Sequence, residues 1–262
     1  MSQQTLLKIQ DLTITVSGEN QRPIVDSVNL EIPPRRIFSL VGGSGSGKTT
    51  IALAILRLLG GGLTIQNGKI HFQQQDLLTL PEHNMREVRG KTISMIFQEP
   101  LYAFNPVFSI GYQVEEVLKY HTDLTFAQRK GRILDLLKLV GIEEPQRVAS
   151  SYSHQLSGGM RQRAMIAQAI AANPQLVIAD EPTSNLDVTL QAKIIELFRH
   201  LKDRLGLSIL LITHDLGMVA SMSDEVAVMT QGKIVEKGET QAVMNQPQHP
   251  YTQKLLQALR VY

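Results

Sequence analysis

A glycine-rich stretch that joins an apolar run to a helical run constrains this chain more than any other feature. Residues 42–49 read Gly-Gly-Ser-Gly-Ser-Gly-Lys-Thr and match the Walker A pattern, which requires a strand before it and a helix after it. Residues 37–41 form a short apolar run typical of a buried strand, and residues 48–59 have helical spacing. The context agrees with the pattern, so a phosphate-binding loop is predicted rather than a flexible turn.

The chemistry of this loop comes from its backbone and from two side chains. Its glycines let successive amides face one anion, and the following helix adds the positive end of its dipole. Lys48 is expected to reach the β- and γ-phosphates of a nucleotide, and the Thr49 hydroxyl is expected to bind Mg²⁺, which prefers oxygen ligands. The loop residues predicted to bind the nucleotide are Gly42, Gly43, Ser44, Gly45, Ser46, Gly47, Lys48, Thr49 and Thr50.

Hydrophobic periodicity along the rest of the chain predicts an α/β fold. Residues 6–16 and 24–32 alternate with a period of two around a polar turn, as two antiparallel strands with one buried face would. Residues 100–145 have a helical pattern. The elements predicted after them are a helix at 157–171, a strand at 176–179, a helix at 190–204 and a strand at 208–213. This order favours a mostly parallel sheet flanked by helices.

The boundaries predicted from these patterns are those of one domain. Three glycines, residues 60–62, are expected to end the helix that begins at Lys48. We predict a single domain over residues 1–262, with a helical subdomain inserted at about 99–160 and a tail at 240–262.

Composition excludes several classes of protein. A hydrophobic content of 43% supports a buried core, and the net charge of +2 comes from 26 basic and 24 acidic residues without a basic cluster, so nucleic acid is not an expected partner. The chain has no cysteine, which excludes disulfides and thiolate metal sites. The first residues lack a secretory pattern, and no apolar run approaches the roughly 18 residues that cross a bilayer. Any membrane role is expected to come through partners.

A second motif is an apolar strand that ends in two acids, Leu-Val-Ile-Ala-Asp-Glu at 176–181. The end of a strand beside a phosphate loop is where Mg²⁺ needs a carboxylate, which makes Asp180 the metal candidate. Glu181 is placed to accept a proton from the attacking water or to orient that water. Two acids can also cap a strand or begin a turn, and this alternative loses weight beside a Walker A loop.

A third motif, Leu-Ser-Gly-Gly-Met-Arg-Gln at 156–162, places Ser157 and two glycine amides at a predicted helix start. Alone it would be a helix cap. Between the phosphate loop and the acidic strand it completes a set that resembles the ATPase domain of ABC proteins over nearly the whole chain. The resemblance implies a P-loop NTPase fold with a mostly parallel sheet, an N-terminal antiparallel β-layer and a helical subdomain.

The resemblance also assigns roles. Gln98 matches the Q-loop of the family, residues 184–187 its D-loop with Asp187 at the nucleotide, and His214 its switch histidine. In this family two ATPase domains meet head to tail, so Ser157, Gly158 and Gly159 would contact ATP held by the partner. Glu181, His214 and Gln98 would be catalytic, with Gln98 also near Mg²⁺. The implied ligands are ATP and Mg²⁺.

Finer matches are similar to the peptide/nickel importer branch: residues 98–106, residues 152–155, and residues 249–252 with the leucines at 255 and 256. The branch implies a distinct homologous ATPase partner, two transmembrane permease subunits and, indirectly, a substrate-binding protein, at the cytoplasmic face of the inner membrane. Many members add a cysteine-ligated iron–sulfur extension, which a chain without cysteine is not expected to hold. Gly43, where peptide-type members often carry glutamate, tilts the expectation toward the nickel type.

The sequence departs from the family pattern at the position that would contact the adenine base of ATP. Val16 stands where the family often has an aromatic residue that stacks on adenine, so weak stacking is expected here.

Two alternatives to a transporter ATPase also stay open. The chain could be an ABC-type ATPase of DNA repair or translation, although such proteins usually carry a long coiled coil or two ATPase domains, or a partner that binds ATP without hydrolysing it. A nucleotide kinase or a GTPase would share Walker A but lack Leu-Ser-Gly-Gly.

Overall fold

The structure, a computed structural model, describes residues 5–18, 22–184 and 186–259 and divides the chain into two compact units. The first unit combines the chain up to Met85 with the chain from Leu207 onward, and the second spans Arg86–Gly206. The strands are β1 (Leu7–Val16), β2 (Pro23–Ile32), β3 (Ile37–Val41), β4 (Leu63–Phe72), β5 (Gln75–Asp76), β6 (Ile93–Ile96), β7 (Leu176–Asp180), β8 (Ser208–Thr213), β9 (Glu225–Thr230) and β10 (Lys233–Glu239).

The helices are likewise numbered in the order in which they occur along the chain. They are α1 (Lys48–Ile55), α2 (Glu82–Val88), α3 (Pro100–Ala103), α4 (Ile110–His121), α5 (Phe126–Leu139), α6 (Pro145–Ser150), α7 (Gly158–Ala169), α8 (Val188–Leu205), α9 (Leu216–Met222), α10 (Thr240–Asn245) and α11 (Pro250–Leu259). Across the described ranges, none of these helices is long and apolar enough to span a bilayer.

The N-terminal β-layer belongs to the first unit. Strand β1 pairs antiparallel with β2 on one side and with β4 on the other, and β5 continues the layer beside β4. Leu7 and Ile9 of β1 are buried in the predicted alternation. Leu12 and Ile14 are also buried but in the opposite phase, because the pairing with β2 shifts between Ile9 and Leu12, where Asp11 adopts a left-handed φ of 47°. The predicted antiparallel layer is therefore confirmed, and β4 is an addition that the sequence pattern did not predict.

A second sheet in the first unit is built around β3. Strand β3 runs parallel to β8 and to β9, and β10 pairs antiparallel with β9. Every residue of β3 and of β8 is buried, as expected for central parallel strands covered on both faces. Because Val41 is paired with Thr213, the segments that follow β3 and β8 leave the sheet at the same edge.

Helix α1 is shorter than predicted. It ends at Ile55, Leu56 is its C-cap residue, and residues 56–59 are not helical. The break comes from Arg57, which adopts a left-handed φ of 53°, while the amide of Leu58 donates to Leu53 O at 2.8 Å. The prediction that glycines 60–62 end this helix is wrong, since those residues form the turn into β4.

The second unit contains two parallel strands and most of the helices. Strand β6 pairs parallel with β7 in the register Ile96 to Ala179. The helical pattern predicted at 100–145 is confirmed as α3, α4 and α5, with α6 beginning at its end. The single-domain boundaries, with a subdomain at about 99–160, stay a prediction.

Candidate functional site

The phosphate loop lies between β3 and α1 of the first unit, as Walker A requires. Gly47 precedes the first residue of α1 with φ 103°, a conformation that side chains disfavour, and a Cβ there would lie 2.7 Å from Ile24 O. Glycine is therefore required at this position by conformation and by space. Ser44 and Gly45 at the tip of the loop are exposed, whereas Gly42 and Ser46 are buried.

Lys48 is folded into this loop. Its side chain is buried, and Nζ donates hydrogen bonds to Gly42 O and Gly43 O at 2.9 Å each and to Ser46 Oγ at 3.3 Å. The ammonium is thus fixed at the centre of the curl that the loop backbone forms. Thr49 next to it is exposed and Thr50 is half-buried, so the two threonines begin α1 in different surroundings.

His214 follows β8 at the same sheet edge as the phosphate loop. It is exposed, and the residues on either side of it are held in place. The amide of Asp215 donates to Thr213 Oγ1 at 3.0 Å, and Asp215 Oδ1 accepts the Met218 amide at 3.0 Å, which caps α9. The first unit therefore brings the Walker A loop and the predicted switch histidine to one edge.

The two acids of the second motif differ in their surroundings. Asp180 ends β7 and is buried, with 3% of its surface exposed. Glu181 is half-buried and adopts a left-handed φ of 46°. The amide of Ser184 donates to Glu181 O at 3.2 Å and closes a turn just after the strand. The structure thus turns the chain at Glu181 itself.

The second unit also places Gln98 near these acids along the sheet. Because Ile96 is paired with Ala179, Gln98 and Asp180 leave parallel strands at the same edge. Gln98 is exposed and lines a cavity of about 230 Å³. The other residues that line it are Glu99, Pro100, Gly158, Arg161, Gln162, Pro182, Ser184 and Leu186. Residues of the predicted Q-loop, signature and D-loop therefore share one cavity.

The signature forms the start of α7. Ser157 Oγ accepts the Met160 amide at 3.3 Å, so this serine is the N-cap that its sequence context predicts. Gly158 is exposed and Gly159 is buried, and a Cβ at Gly159 would lie 3.2 Å from the Leu190 side chain. The glycine allows the helix start to lie close to Leu190 of α8.

Asp187 of the D-loop is the N-cap of α8. Its Oδ1 accepts the Leu190 amide at 2.9 Å, and the side chain is exposed. Asn185 of the same loop lies outside the described residues. Asp187 therefore has a structural partner, and its proposed contact with nucleotide stays a prediction.

Val16, expected at the adenine position, is the last residue of β1 and has 43% of its surface exposed. An aliphatic side chain has no π-face, so weak adenine stacking stays the expectation for this position.

One residue of the site was not predicted from the sequence. The Gly43 amide donates a hydrogen bond to the Tyr251 hydroxyl at 3.0 Å, which brings the second residue of α11 to the phosphate loop. The sequence showed Tyr251 only as part of a branch-specific segment at 249–252, because a contact between residues this distant in the chain has no local pattern.

Comparisons with known proteins agree with these motifs. A family model described as "ABC transporter" matches residues 25–184, which is more than half of the chain. The peptidoglycan transport ATP-binding protein YejF of Agrobacterium fabrum is 49% identical over 97% of this chain, which spans only 47% of that relative's length. The dipeptide transport ATP-binding protein DppD of Haemophilus influenzae is 43% identical over 97% of this chain and 77% of its own length.

A solved structure supports the fold. It is the dimeric structure of a post-hydrolysis state of the ATP-binding cassette MJ0796, bound to ADP and Pi. It is similar to this chain with a TM-score of 0.79 at 28% identity, covering 89% of this chain and 98% of its own. The predicted ABC ATPase fold is confirmed, and the chain belongs to the ABC transporter family as one of its ATP-binding proteins.

Proposed function

We propose that this chain binds and hydrolyses ATP to power the import of peptides by an ABC transporter. The observation that carries the proposal is the first unit's arrangement of a Walker A loop with buried Lys48 and of His214 at the same sheet edge. The name of the dipeptide transport relative supports the peptide class of cargo, whereas Gly43 favours the nickel type. Neither alternative, an ATPase of DNA repair or translation or a non-hydrolysing partner, has support from these relatives.

The loop amides and Lys48 would bind the ATP phosphates, since the loop carbonyls hold the Lys48 ammonium within the same loop as the amides. By the family resemblance, the Thr49 hydroxyl, the Asp180 carboxylate and the Gln98 amide oxygen would be the protein ligands of Mg²⁺. All three are hard oxygen donors, which Mg²⁺ prefers, and the ion needs few ligands from protein. When bound, the ion would neutralise charge that develops on the phosphates.

Glu181 and His214 would act on the attacking water and the γ-phosphate. A carboxylate accepts a proton from water or orients it, and an imidazole can donate to a phosphate oxygen. Catalysis of this kind depends on positioning and electrostatic stabilisation more than on covalent chemistry. The fixed turns at Glu181 and around His214 suit that requirement.

A second ATPase would complete each site. The chain has one Walker A loop and one signature, and Ser157 and Gly158 are exposed at the start of α7. These groups would cover ATP held by the partner, which we propose to be a distinct homologous chain. The dimeric state of the similar MJ0796 cassette supports such pairing.

Two transmembrane permease subunits would provide the pathway, and a substrate-binding protein would deliver cargo to them. A surface suited to the permeases lies in the second unit, where Val107, Phe108 and Tyr112 are exposed and the last two stack at 4.7 Å. Gln98 precedes this surface in the chain and would link its position to the nucleotide. We place the chain at the cytoplasmic face of the inner membrane, without nucleic acid as a partner.

The test is to reconstitute the chain with its second ATPase and permeases in lipid vesicles. ATP hydrolysis and uptake of a labelled dipeptide are measured together, with a Lys48→Ala chain as the control. We expect uptake that requires ATP and is lost in the control. Hydrolysis without uptake of any peptide would refute the proposed cargo class but not the ATPase assignment.

A further inference from the structure

The hydrogen bond between Gly43 and Tyr251 joins the phosphate loop to the C-terminal helix of the first unit. The donor is the backbone N–H of Gly43, and the acceptor is the phenol oxygen of Tyr251, 3.0 Å away. Gly43 is half-buried, and a buried amide that loses its partner destabilises the conformation that holds it. The hydrogen bond to the Tyr251 hydroxyl therefore stabilises the conformation of the phosphate loop, in addition to the packing of the tyrosine ring.

Tyr251 is held in place from outside the loop. The Glu236 carboxylate on β10 accepts the Gln248 amide at 2.8 Å and the His249 amide at 3.0 Å, which fixes the chain just before α11. Thr252 is buried, with 1% of its surface exposed. Because these contacts anchor the segment, the Tyr251 hydroxyl does not need the Gly43 bond to keep its position.

The same helix packs against the elements on either side of the candidate site. Tyr251, Leu255 and Leu256 of α11 pack on a core cluster that includes Val41, the residue before the phosphate loop. The cluster also includes Leu216 and Val219 of α9, the helix that begins just after His214. Helix α11 therefore contacts the supports of both the loop and the switch histidine.

We propose that Tyr251 is a positioning residue for the phosphate loop, an inference that rests on the proposed ATP binding. Its hydroxyl accepts the Gly43 amide and so fixes the first turn of the loop, whose Gly42 and Gly43 carbonyls hold Lys48 Nζ at 2.9 Å each. Glycine at 43 and tyrosine at 251 are matched, because a Cβ on residue 43 would lie 3.2 Å from the hydroxyl oxygen. A side chain at 43 therefore requires that hydroxyl to shift by a few tenths of an ångström.

The first experiment is the Tyr251→Phe variant, which keeps the ring and removes the hydroxyl. The dissociation constant for a non-hydrolysable ATP analogue is measured on the purified chain by calorimetry, and KM and kcat are measured on the assembled transporter. Loss of one loop hydrogen bond is expected to raise the dissociation constant and KM about two- to ten-fold, with kcat unchanged, since positioning acts on binding. Tyr120→Phe, at a tyrosine with 72% of its surface exposed, serves as the matched control.

The second experiment tests whether Gly43 and Tyr251 act as one unit. Gly43→Ala is expected to weaken analogue binding in the chain with Tyr251, and to cause no further loss when Tyr251→Phe is already present, because no hydroxyl is then displaced. Fold-changes that multiply in the double variant would overturn the proposal. A Tyr251→Phe variant that binds like wild type would overturn it as well, whereas a wild-type chain that binds no analogue would refute the proposed ATP binding itself.

Discussion

Glu181 adopts a left-handed backbone conformation directly after the buried Asp180. For a residue other than glycine this conformation costs on the order of 1–3 kcal/mol and is concentrated at functional sites. The turn separates the two acids, since one side chain stays buried with the strand and the other is half-buried beyond it. This difference in burial is consistent with the proposed roles, in which Asp180 binds the metal ion and Glu181 acts on water.

The first prediction concerns Glu181→Gln. The variant keeps the size of the side chain and removes the carboxylate, so ATP binding is expected to stay within two-fold while turnover falls about 100-fold or more. Steady-state hydrolysis by the assembled transporter and analogue binding by the chain are the measurements. Glu116→Gln, at an exposed position of α4, is the matched control. A near-normal rate would remove Glu181 from the catalytic role.

The second prediction concerns Lys48→Ala. Because the change removes a charge held at the centre of the loop, nucleotide affinity itself is expected to fall about ten-fold or more. Calorimetry with the analogue tests this, and Lys138→Ala, at an exposed lysine of α5, is the control. Unchanged affinity would contradict the assignment of Lys48 to the phosphates.

At the scale of elements, Glu236 ties β10 to the start of α11. Burial alone would raise the pKa of its carboxyl, but the Gln248 amide, the Thr252 side chain and the His249 amide together outweigh burial and hold the pKa below its ordinary value. A pKa lowered in the folded state means that the charged carboxylate stabilises the fold above the unfolded-state pKa. That contribution is lost as the pH falls through the folded-state pKa.

The third prediction follows from this anchor. Glu236→Gln is expected to lower the thermal unfolding midpoint at pH 7, and the difference from wild type is expected to shrink as the pH is lowered below 4.5, where wild type loses the same charge. Thermal denaturation of both chains across that range is the measurement. A difference that stays constant with pH would show that the charge of Glu236 does not stabilise the tail.

Elements with a strong local pattern could be predicted from the sequence. Strands β3 and β8 are continuous buried apolar runs, and β1 alternates in two segments on either side of an irregularity at Asp11. Each of these strands therefore shows its burial in its own residues. Strand β4 was missed because it is largely exposed and contains Asn67-Gly68, a pair that usually marks a turn. Gly68 instead lies at the strand's close approach to β1, where a Cβ would come within 2.6 Å of the Leu12 backbone.

The candidate site also has parts that a local sequence pattern predicts and parts that depend on tertiary structure. Walker A, the acidic strand and the signature are short segments whose chemistry depends on neighbouring residues, so they could be predicted from the sequence alone. The end of α1 at Ile55 depends on the left-handed backbone conformation of Arg57, which no residue type dictates. The contact of Tyr251 with Gly43 depends on tertiary packing across 208 positions, which no single-sequence pattern records.

We propose that the whole molecule supplies halves of two ATP sites. It has a phosphate loop in its first unit and an exposed signature start in its second, but only one of each. If the ATP site is split as we propose, neither half would work without a partner, so isolated activity is expected to be low. Self-pairing at high concentration is expected to substitute weakly for the distinct homologous ATPase.

The most direct test is ATP hydrolysis per molecule, measured as the purified chain is titrated alone and again with the second ATPase and the permeases. The predicted result is low activity that rises with concentration for the chain alone, and high activity once the partners are added. Ser157→Arg in this chain should abolish the restored activity at the partner's site while this chain still binds the ATP analogue. Full activity from a monomer, independent of concentration and unaffected by Ser157→Arg, would contradict the split site.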